Sequence, residues 1–481
     1  MIENRNFYIN GAWVAPAKAR DHHVIDPSTE EACAVISLGD QADTDAAVAA
    51  ASGAFPTWAA TPPADRAEYV KGILAQYEAR QEEMAQAISQ EMGAPIDLAR
   101  SSQAPCLPWH LSNFLKAFDH MEWIRPLGPH APDDRIAMEP IGVVGLITPW
   151  NWPMNQVTLK VIPALLAGCT IVLKPSEEAP LSSLLFAELV HDAGVPAGVF
   201  NLVNGDGAGV GSQLSSHEDV AMISFTGSTR AGKAISAAAV DTLKRVTLEL
   251  GGKGANVIFA DADEKAIKRG VLHCMNNSGQ SCNAPTRMLV EQSIYDQAVE
   301  TAAEIADKIT VGQASDSGRH IGPVVNKTQW EKIQDMIEVG IKEGARLVAG
   351  GPGLPEGMNK GYYVRPTIFA DVKNDMRIAR EEIFGPVLSI IPFKDEEDAV
   401  KIANDTPYGL TNYVQTQDGA KRNRMARALR SGMVEMNGQA RGAGSPFGGM
   451  KMSGRAREGG VWGIEEFLEA KAISGWDTAA E

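Results

Sequence analysis

The apolar positions of this chain follow helical spacing over the first stretch. The alanine-rich run Asp45 to Phe55 reads as one helix. A second is predicted from near Pro63 to Gly93, because Val70, Ile73, Leu74 and Tyr77 recur at helical intervals and Gly93 supplies a stop. From Gly142 the rhythm changes, and short apolar runs alternate with helical segments at intervals of roughly 25 residues. GVVGLIT, TIVLK, VFNLV, AMISF and RVTLEL read as strands. Between them lie a helical pattern ending at Gly168, LSSLLFAELVHDAG, a short helix and RAGKAISAAA. Such alternation implies right-handed crossovers and a parallel sheet covered by helices. Ligands of these sheets bind beyond the carboxyl ends of the strands, so the loops to inspect follow Thr148, Leu173, Val203, Phe225 and Leu250.

After Gly252 a second series begins, with NVIF, RMLV, YYVRPTIF, VLSIIPF and GMVEMN as strands and SIYDQAVETAAEIADKI as an intervening helix. The expected fold class is α/β, with two α/β domains and Gly251-Gly252 as a hinge between them. The polar segment Glu122 to Glu139 lacks a helical period and reads as an extended arm. The predicted boundaries are residues 1–121 with 141–251 for the first domain, 252–463 for the second, and 122–140 with 464–481 for the arm.

Composition narrows the function more than the fold. With 481 residues, 44% apolar and 22% charged, the chain is an ordinary globular protein of two or three domains. A formal net charge of −16 and the lack of a basic run argue against nucleic acid as a partner. The polar N-terminus has no signal-peptide pattern, and the longest apolar stretch, Val161 to Leu173, is short of the ~20 residues a spanning helix needs. No membrane association is expected. Five irregularly spaced cysteines suit neither a disulfide framework nor a zinc site, and no metal is expected. A reducing cytoplasm is the expected compartment.

Unusual residues gather where the strands end. In order they are TPWNWP (Thr148–Pro153), KPSE (Lys174–Glu177), FTGST (Phe225–Thr229), TLELGGK (Thr247–Lys253), SGQSCNAPTR (Ser278–Arg287), EEIFGPV (Glu381–Val387) and SPFGGMKMSG (Ser445–Gly454). Cys282 lies in a small polar turn, whereas Cys33, Cys106, Cys169 and Cys274 read as small buried hydrophobes. Glu249 lies between leucines at a strand end, where desolvation raises a carboxyl pKa toward that of a useful base; on an alternating strand it would face solvent instead.

These seven strings, in this order and spacing, resemble the aldehyde dehydrogenase superfamily over nearly the whole chain. The resemblance implies a Rossmann-like cofactor domain, a catalytic domain and an oligomerisation arm. It also implies oxidation of an aldehyde to an acid with reduction of NAD, or of NADP. That chemistry needs an activated cysteine, an oxyanion stabiliser, a nicotinamide cofactor and a base. By resemblance Cys282 is the nucleophile, Asn151 the oxyanion donor beside the Cys282 N–H, and Glu249 the base that activates water on the thioester. Relatives that pass the acyl group to coenzyme A typically lack this glutamate, so Glu249 points to a free acid. Lys174 completes the candidate catalytic group and, with Glu177, matches the pair that binds the adenosine ribose. The carboxylate of Glu177 favours NAD, since it accepts from a 2′-hydroxyl and repels a 2′-phosphate.

The resemblance also places Trp150 and Ser228 at the pyrophosphate, and Glu382 and Phe384 at the nicotinamide ribose. Thr148, Gly207, Phe225, Gly227 and Leu250 complete the expected cofactor surface. The glycines at 205, 207, 209 and 211 lack dinucleotide-fingerprint spacing and are expected near the adenine rather than the pyrophosphate. Some members carry a second glutamate near the C-terminus; in REGGVWG the alignment puts Val461 there, leaving Glu249 to act alone. Gln156, Leu159, Asn276 and Arg441 are expected to line the substrate tunnel, with Gln439 beside them and Arg441 suited to a carboxylate. A homo-dimer or homo-tetramer is expected through the arm, Glu122–Glu139 with Leu468–Trp476. The alternatives are an acyl-transferring relative, a thioester-forming esterase, or a binding protein that has kept the scaffold.

Overall fold

The computed structural model describes residues 1–477, so the last four positions of the expected arm lie outside the described residues. Two seven-stranded sheets organise the chain. In the first, five parallel strands lie in the order Arg245–Glu249, Met222–Thr226, Val143–Ile147, Thr170–Lys174 and Phe200–Leu202. An N-terminal hairpin, Phe7–Ile9 with Ala12–Val14, extends this sheet antiparallel. Strand order reverses between Val143–Ile147 and Met222–Thr226, which makes the loops after these two strands a topological switch point. The first of those loops holds Thr148, Trp150 and Asn151, and the second holds Gly227 and Ser228.

The second sheet runs Arg346–Ala349, Thr367–Ala370, Val387–Phe393, Arg287–Glu291, Ala255–Ile258, Thr411–Gln415 and Met433–Met436, parallel except at its first pair. Cys282 sits just before Arg287–Glu291, at the amino end of this sheet. Its loop therefore meets the carboxyl ends of the first sheet.

The expected helices form, with one difference. The pattern from Pro63 to Gly93 is two helices, Pro63–Ala79 and Gln81–Met92, broken at Arg80 (φ −119°, ψ 22°). Gly93 ends the second in the left-handed conformation at φ 81°, which glycine adopts without a Cβ penalty. The helix Pro153–Ala167 carries proline at its first turn and left-handed Gly168 just past its end. All but one of its residues are buried, because it packs against the first sheet and against Pro63–Ala79 and Cys106–Phe118.

One strand expectation shifts, and the strand Thr411–Gln415 is not among those expected. YYVRPTIF contributes only Thr367–Phe369, to the strand Thr367–Ala370. Thr411–Gln415 (TNYVQ) has no apolar run, yet every one of its residues is buried. Its two amide side chains pair inside the sheet: Asn412 Oδ1 accepts from Ala255 N at 2.9 Å, and Gln415 Nε2 donates to Asn256 Oδ1 at 3.0 Å. Internal pairing offsets the cost of burying these amides, so the buried strand shows no apolar run.

The polar segment Glu122–Glu139 forms two strands, Ile124–Gly128 and Ala131–Pro140, and Leu468–Ser474 pairs on the other side of the longer one. The result is a three-stranded antiparallel sheet standing apart from the two large ones.

Candidate active site

Cys282 is held by an unusual backbone. Asn277, Ser278 and Gly279 are consecutive left-handed residues at φ 51°, 56° and 73°. A Cβ on Gly279 would lie 2.1 Å from the Gly385 carbonyl oxygen, and one on Gly252 would lie 2.3 Å from the Cys282 carbonyl oxygen. The glycine expected to act as a hinge is thus a point of close backbone contact between the nucleophile loop and the end of the first sheet.

Asn151 is locked to the same loop. Its Nδ2 donates to Gln280 O at 3.0 Å, while its carbonyl accepts from Asn277 Nδ2 at 3.0 Å and Gln103 Nε2 at 3.3 Å. Trp152 Nε1 donates to Ser281 Oγ at 2.8 Å. One N–H of the Asn151 carboxamide is spent on Gln280, and the group carries two.

The sulfur of Cys282 borders a cavity of about 560 Å³. Protein closes around it elsewhere, and this burial, reinforced by the carboxyl groups of Glu382, Glu249 and Glu458, pushes the thiol pKa well up; Arg441 opposes the shift. The thiol is therefore protonated at neutral pH, and a proton acceptor is required to make it a thiolate.

Glu249 ends its strand 3% exposed, and both carboxyl oxygens lack a hydrogen-bond partner. Burial raises its pKa well above the ordinary carboxyl value, and the nearby Glu458 raises it further, against Lys160 and Arg457. Glu458 is itself buried. Its Oε1 meets Lys160 Nζ at 2.5 Å, and its Oε2 has no partner. A Cβ on Gly448 would stand 2.8 Å from Glu249 Oε1, so this glycine leaves room for the carboxyl group.

The second glutamate is thus present, and the placement of Val461 there is corrected. Val461 is 38% exposed, three residues beyond the buried Glu458. The signal that could have found the pair was Lys160, a lysine within the otherwise apolar stretch VTLKVIPALLA. A buried lysine requires a carboxylate partner.

The expected cofactor residues gather at the carboxyl edge of the first sheet. Lys174 Nζ donates to Gly205 O at 2.5 Å and meets Glu177 Oε2 at 3.2 Å. These contacts place it on the cofactor side of the site, and no described hydrogen bond joins it to Cys282, Glu249 or Asn151. Thr148 N bonds the Lys174 carbonyl at 3.1 Å. Ser228 caps the helix Thr229–Ala238, accepting from Ala231 N. A Cβ on Gly227 would strike the Phe225 ring at 2.5 Å, and one on Gly232 would strike Leu250 at 2.8 Å. Gly207 opens a turn capped by Asp206, and a Cβ there meets nothing within 4 Å. The rings of Trp150 and Phe384 meet edge-on at 5.4 Å. Phe384 sits at φ 61°, a strained value for an aromatic residue, held by Gln329 Nε2 on its carbonyl at 2.8 Å. Glu382 Oε1 accepts from Gly252 N at 2.8 Å.

Of the expected tunnel residues, Gln156, Leu159 and Arg441 line the cavity. Asn276 does not, and that expectation is corrected. The chain turns left-handed at the next residue, and Asn276 borders a separate surface depression with Arg319 and His320. Its neighbour Asn277 instead holds Asn151. Gln439 is exposed beside the cavity. Arg441 donates through Nε to Glu435 at 2.8 Å and stacks over Phe447.

Comparison with known proteins agrees with this arrangement. The profile of the Aldehyde dehydrogenase family matches residues 13–473. The chain is 49% identical over 479 residues to a Pseudomonas protein named 3-succinoylsemialdehyde-pyridine dehydrogenase, covering 99% of this chain and all of that one. It superposes with a TM-score of 0.98 on an aldehyde dehydrogenase from Bartonella henselae, 63% identical over 99% of this chain and 100% of the other. Against an Aldehyde Dehydrogenase C mutant from Pseudomonas syringae, crystallised with NAD+ and octanal, the TM-score is 0.96 at 48% identity, with 98% and 97% covered. Sequence, fold and site geometry together establish that the chain belongs to the aldehyde dehydrogenase family.

Proposed function

We infer that this chain oxidises an aldehyde to a carboxylic acid through a thioester on Cys282, with NAD as electron acceptor. The observation that carries the reading is a thiol at the edge of a cavity, with a carboxamide donor fixed to the carbonyl two residues before it and a buried, unpaired carboxyl group near enough to act on its charge.

Each residue has a role that its surroundings support. Once deprotonated, Cys282 attacks the carbonyl carbon, and the resulting alkoxide is held by the free Asn151 N–H and the Cys282 backbone N–H. Loss of hydride from the adduct leaves a thioester. Glu249 then takes a proton from water, which attacks the thioester and releases the acid and the thiol. Glu458 keeps the proton affinity of Glu249 high, and Lys160 balances the charge of Glu458.

The residues present fit NAD. Glycines at 227 and 232 let the capped helix pack tightly below the carboxyl edge, leaving its first-turn N–H groups near the switch point, a setting that suits a pyrophosphate. Lys174 and Glu177 would hold the adenosine ribose, with Gly207 beside the adenine. Glu382, Phe384 and Trp150 would flank the nicotinamide ribose and pyrophosphate, and Thr148, Phe225 and Leu250 would complete the surface. Bound there, NAD supplies the hydride acceptor.

On this reading residues 1–121 and 141–251 bind the cofactor, 252–463 carry the nucleophile, and the three-stranded sheet is an oligomerisation arm. A reducing compartment such as the cytoplasm fits five free cysteines. No helix among the described residues is long and apolar enough to cross a membrane. The Pseudomonas relative is named for an aldehyde bearing a pyridine ring, which brings ring-bearing aldehydes into consideration here.

Assembly is the first test. Both outer strands of the small sheet, Ile124–Gly128 and Leu468–Ser474, leave an edge unpaired among the described residues, with Ile124 and Leu127 exposed. Such edges are satisfied by a partner chain. Light scattering at micromolar concentration should report a dimer or tetramer, and a monomer would remove the arm from this role.

The cofactor preference follows from Glu177. NAD should exceed NADP in kcat/KM by about tenfold or more, and Glu177→Gln should narrow the gap. A wild-type preference for NADP would overturn the assignment.

The two chemical roles separate in single turnover. Glu249→Gln should give a burst of NADH and a stable acyl group on Cys282, detectable by mass spectrometry. Cys282→Ala should give neither burst nor adduct while still binding NAD. Normal steady-state turnover by Glu249→Gln would rule out the base.

The raised pKa of Glu249 fixes the pH dependence. The base works only when deprotonated, so deacylation should be lost as pH falls through the raised value and should increase toward alkaline pH. Glu458→Gln removes a like charge and should move that limb to lower pH by about one unit. A limb that stays in place, or moves up, would separate Glu458 from Glu249.

A further inference from the structure

The lining of the cavity at Cys282 is unusual in its charge balance, and this bears on the substrate. Two of its cations, Arg441 and Arg269, are each committed to a carboxylate of the protein. Arg441 Nε donates to Glu435, which borders the same cavity, and Arg269 donates twice to Asp263 at 3.1 and 2.7 Å. The cavity's other carboxylate, Glu458, is neutralised by Lys160. Two histidines border the space, and burial lowers the pKa of both. His110 is pushed down to about 4 and His273 is lowered, so both are uncharged at neutral pH. An anionic group brought to Arg441 meets Glu435 as well, and loses its hydration without gaining an unpaired cation.

The walls are nonetheless polar and aromatic. Trp109, His110, Trp152, His273, Tyr413 and Phe447 all border the cavity. The polar tips of two are occupied, Trp152 by Ser281 and Tyr413 by the Asn283 carbonyl at 2.7 Å, leaving ring surface for a ligand. Trp109 meets His110 edge-on at 4.6 Å, and His273 meets Tyr413 at 5.0 Å, which fixes the rings in place. Three lining residues carry a buried polar atom without a partner, Glu458 Oε2, Arg269 Nε and Gln156 Oε1, and of these Gln156 is the uncharged one. Gln156, 4% exposed, lines the cavity with its Oε1 buried and without a hydrogen-bond partner. Filling the space with an alkyl chain would leave that group unpaired, at a cost of about 1–3 kcal/mol.

We propose that this cavity selects uncharged aromatic aldehydes carrying a hydroxyl or similar hydrogen-bonding group, with Gln156 as the residue that reads that group and the Arg441–Glu435 pair as the element that rejects carboxylates. The inference rests on the aldehyde-oxidising reading of the site. Planar rings stack and pack edge-on against fixed aromatic walls, and a hydroxyl both donates and accepts, so it satisfies the carboxamide in either orientation. The expectation that Arg441 suits a carboxylated substrate is thereby replaced.

The test uses the full-length protein with NAD at neutral pH, following NADH with 3-hydroxybenzaldehyde, benzaldehyde, 3-carboxybenzaldehyde and octanal. For 3-hydroxybenzaldehyde, kcat/KM should exceed that for 3-carboxybenzaldehyde and for octanal by about tenfold. Gln156→Met should cut the preference for 3-hydroxybenzaldehyde over benzaldehyde by about tenfold. Glu435→Gln, which frees Arg441, should raise 3-carboxybenzaldehyde relative to 3-hydroxybenzaldehyde. If octanal or 3-carboxybenzaldehyde is the better substrate, or Gln156→Met slows both ring aldehydes alike, the proposed selectivity is wrong while the aldehyde dehydrogenase reading stands. If no aldehyde yields NADH, the underlying reading fails with it.

Discussion

The bond from Asn151 Nδ2 to the Gln280 carbonyl joins two parts of the chain that lie 129 residues apart. Asn151 leaves the carboxyl end of one sheet, and Gln280 enters the amino end of another. Around the bond, Gln103 and Asn277 both donate to the Asn151 carbonyl, and Gln103 also reaches Asn277 Oδ1 at 3.2 Å. All four side chains are buried, so each polar atom in the network has only its neighbours to satisfy it. A shift of either loop would break several bonds together. Cys282 and Asn151, the proposed nucleophile and oxyanion donor, are thus positioned by one cooperative network, not by two sheets that happen to approach. The glycine at 252 belongs to the same constraint, since any side chain there would push the Cys282 carbonyl away.

Charge is managed in the opposite spirit, by burial without local satisfaction. Glu249 has no hydrogen-bond partner, and a protein designed only for stability would not leave a carboxyl group in that state. The group is tolerated because it takes up a proton, which is what its raised pKa expresses. Glu458 and Lys160 make this environment adjustable: the glutamate raises the proton affinity of Glu249 and the lysine moderates it.

The parallel-sheet architecture was legible because buried strands leave apolar runs and the helices between them leave a period. The motif-bearing residues were legible because they sit where such sheets bind ligands. What escaped had internal reasons. The strand Thr411–Gln415 hides its burial behind amides that pair within the sheet. The break at Arg80 carries no proline or glycine to announce it. Lys160 and Glu458 are separated by 298 residues and become one feature only when the chain folds. The misplacement of Asn276 has the same origin: three consecutive left-handed residues cannot be inferred from an Asn-Asn-Ser-Gly string, and they decide which asparagine faces the site.

The resting state of Cys282 follows from these arrangements. Burial and three surrounding carboxyl groups all favour the thiol over the thiolate. A protonated thiol is a poor nucleophile toward peroxides and disulfides as well as toward aldehydes, so the same field that delays catalysis also protects the sulfur while the site is idle. It also makes the sulfur responsive. Where desolvation and like-signed neighbours hold a proton on, a positive charge brought alongside acts in a medium of low dielectric and has a large effect on the balance. Reactivity is then tied to what occupies the site: a neutral aldehyde alone leaves the thiol as it was, whereas a cationic ring beside it favours the thiolate. The cavity's arginines are paired with Glu435 and Asp263, and the opposing pull of Arg441 on the sulfur is outweighed by burial and the three carboxyl groups.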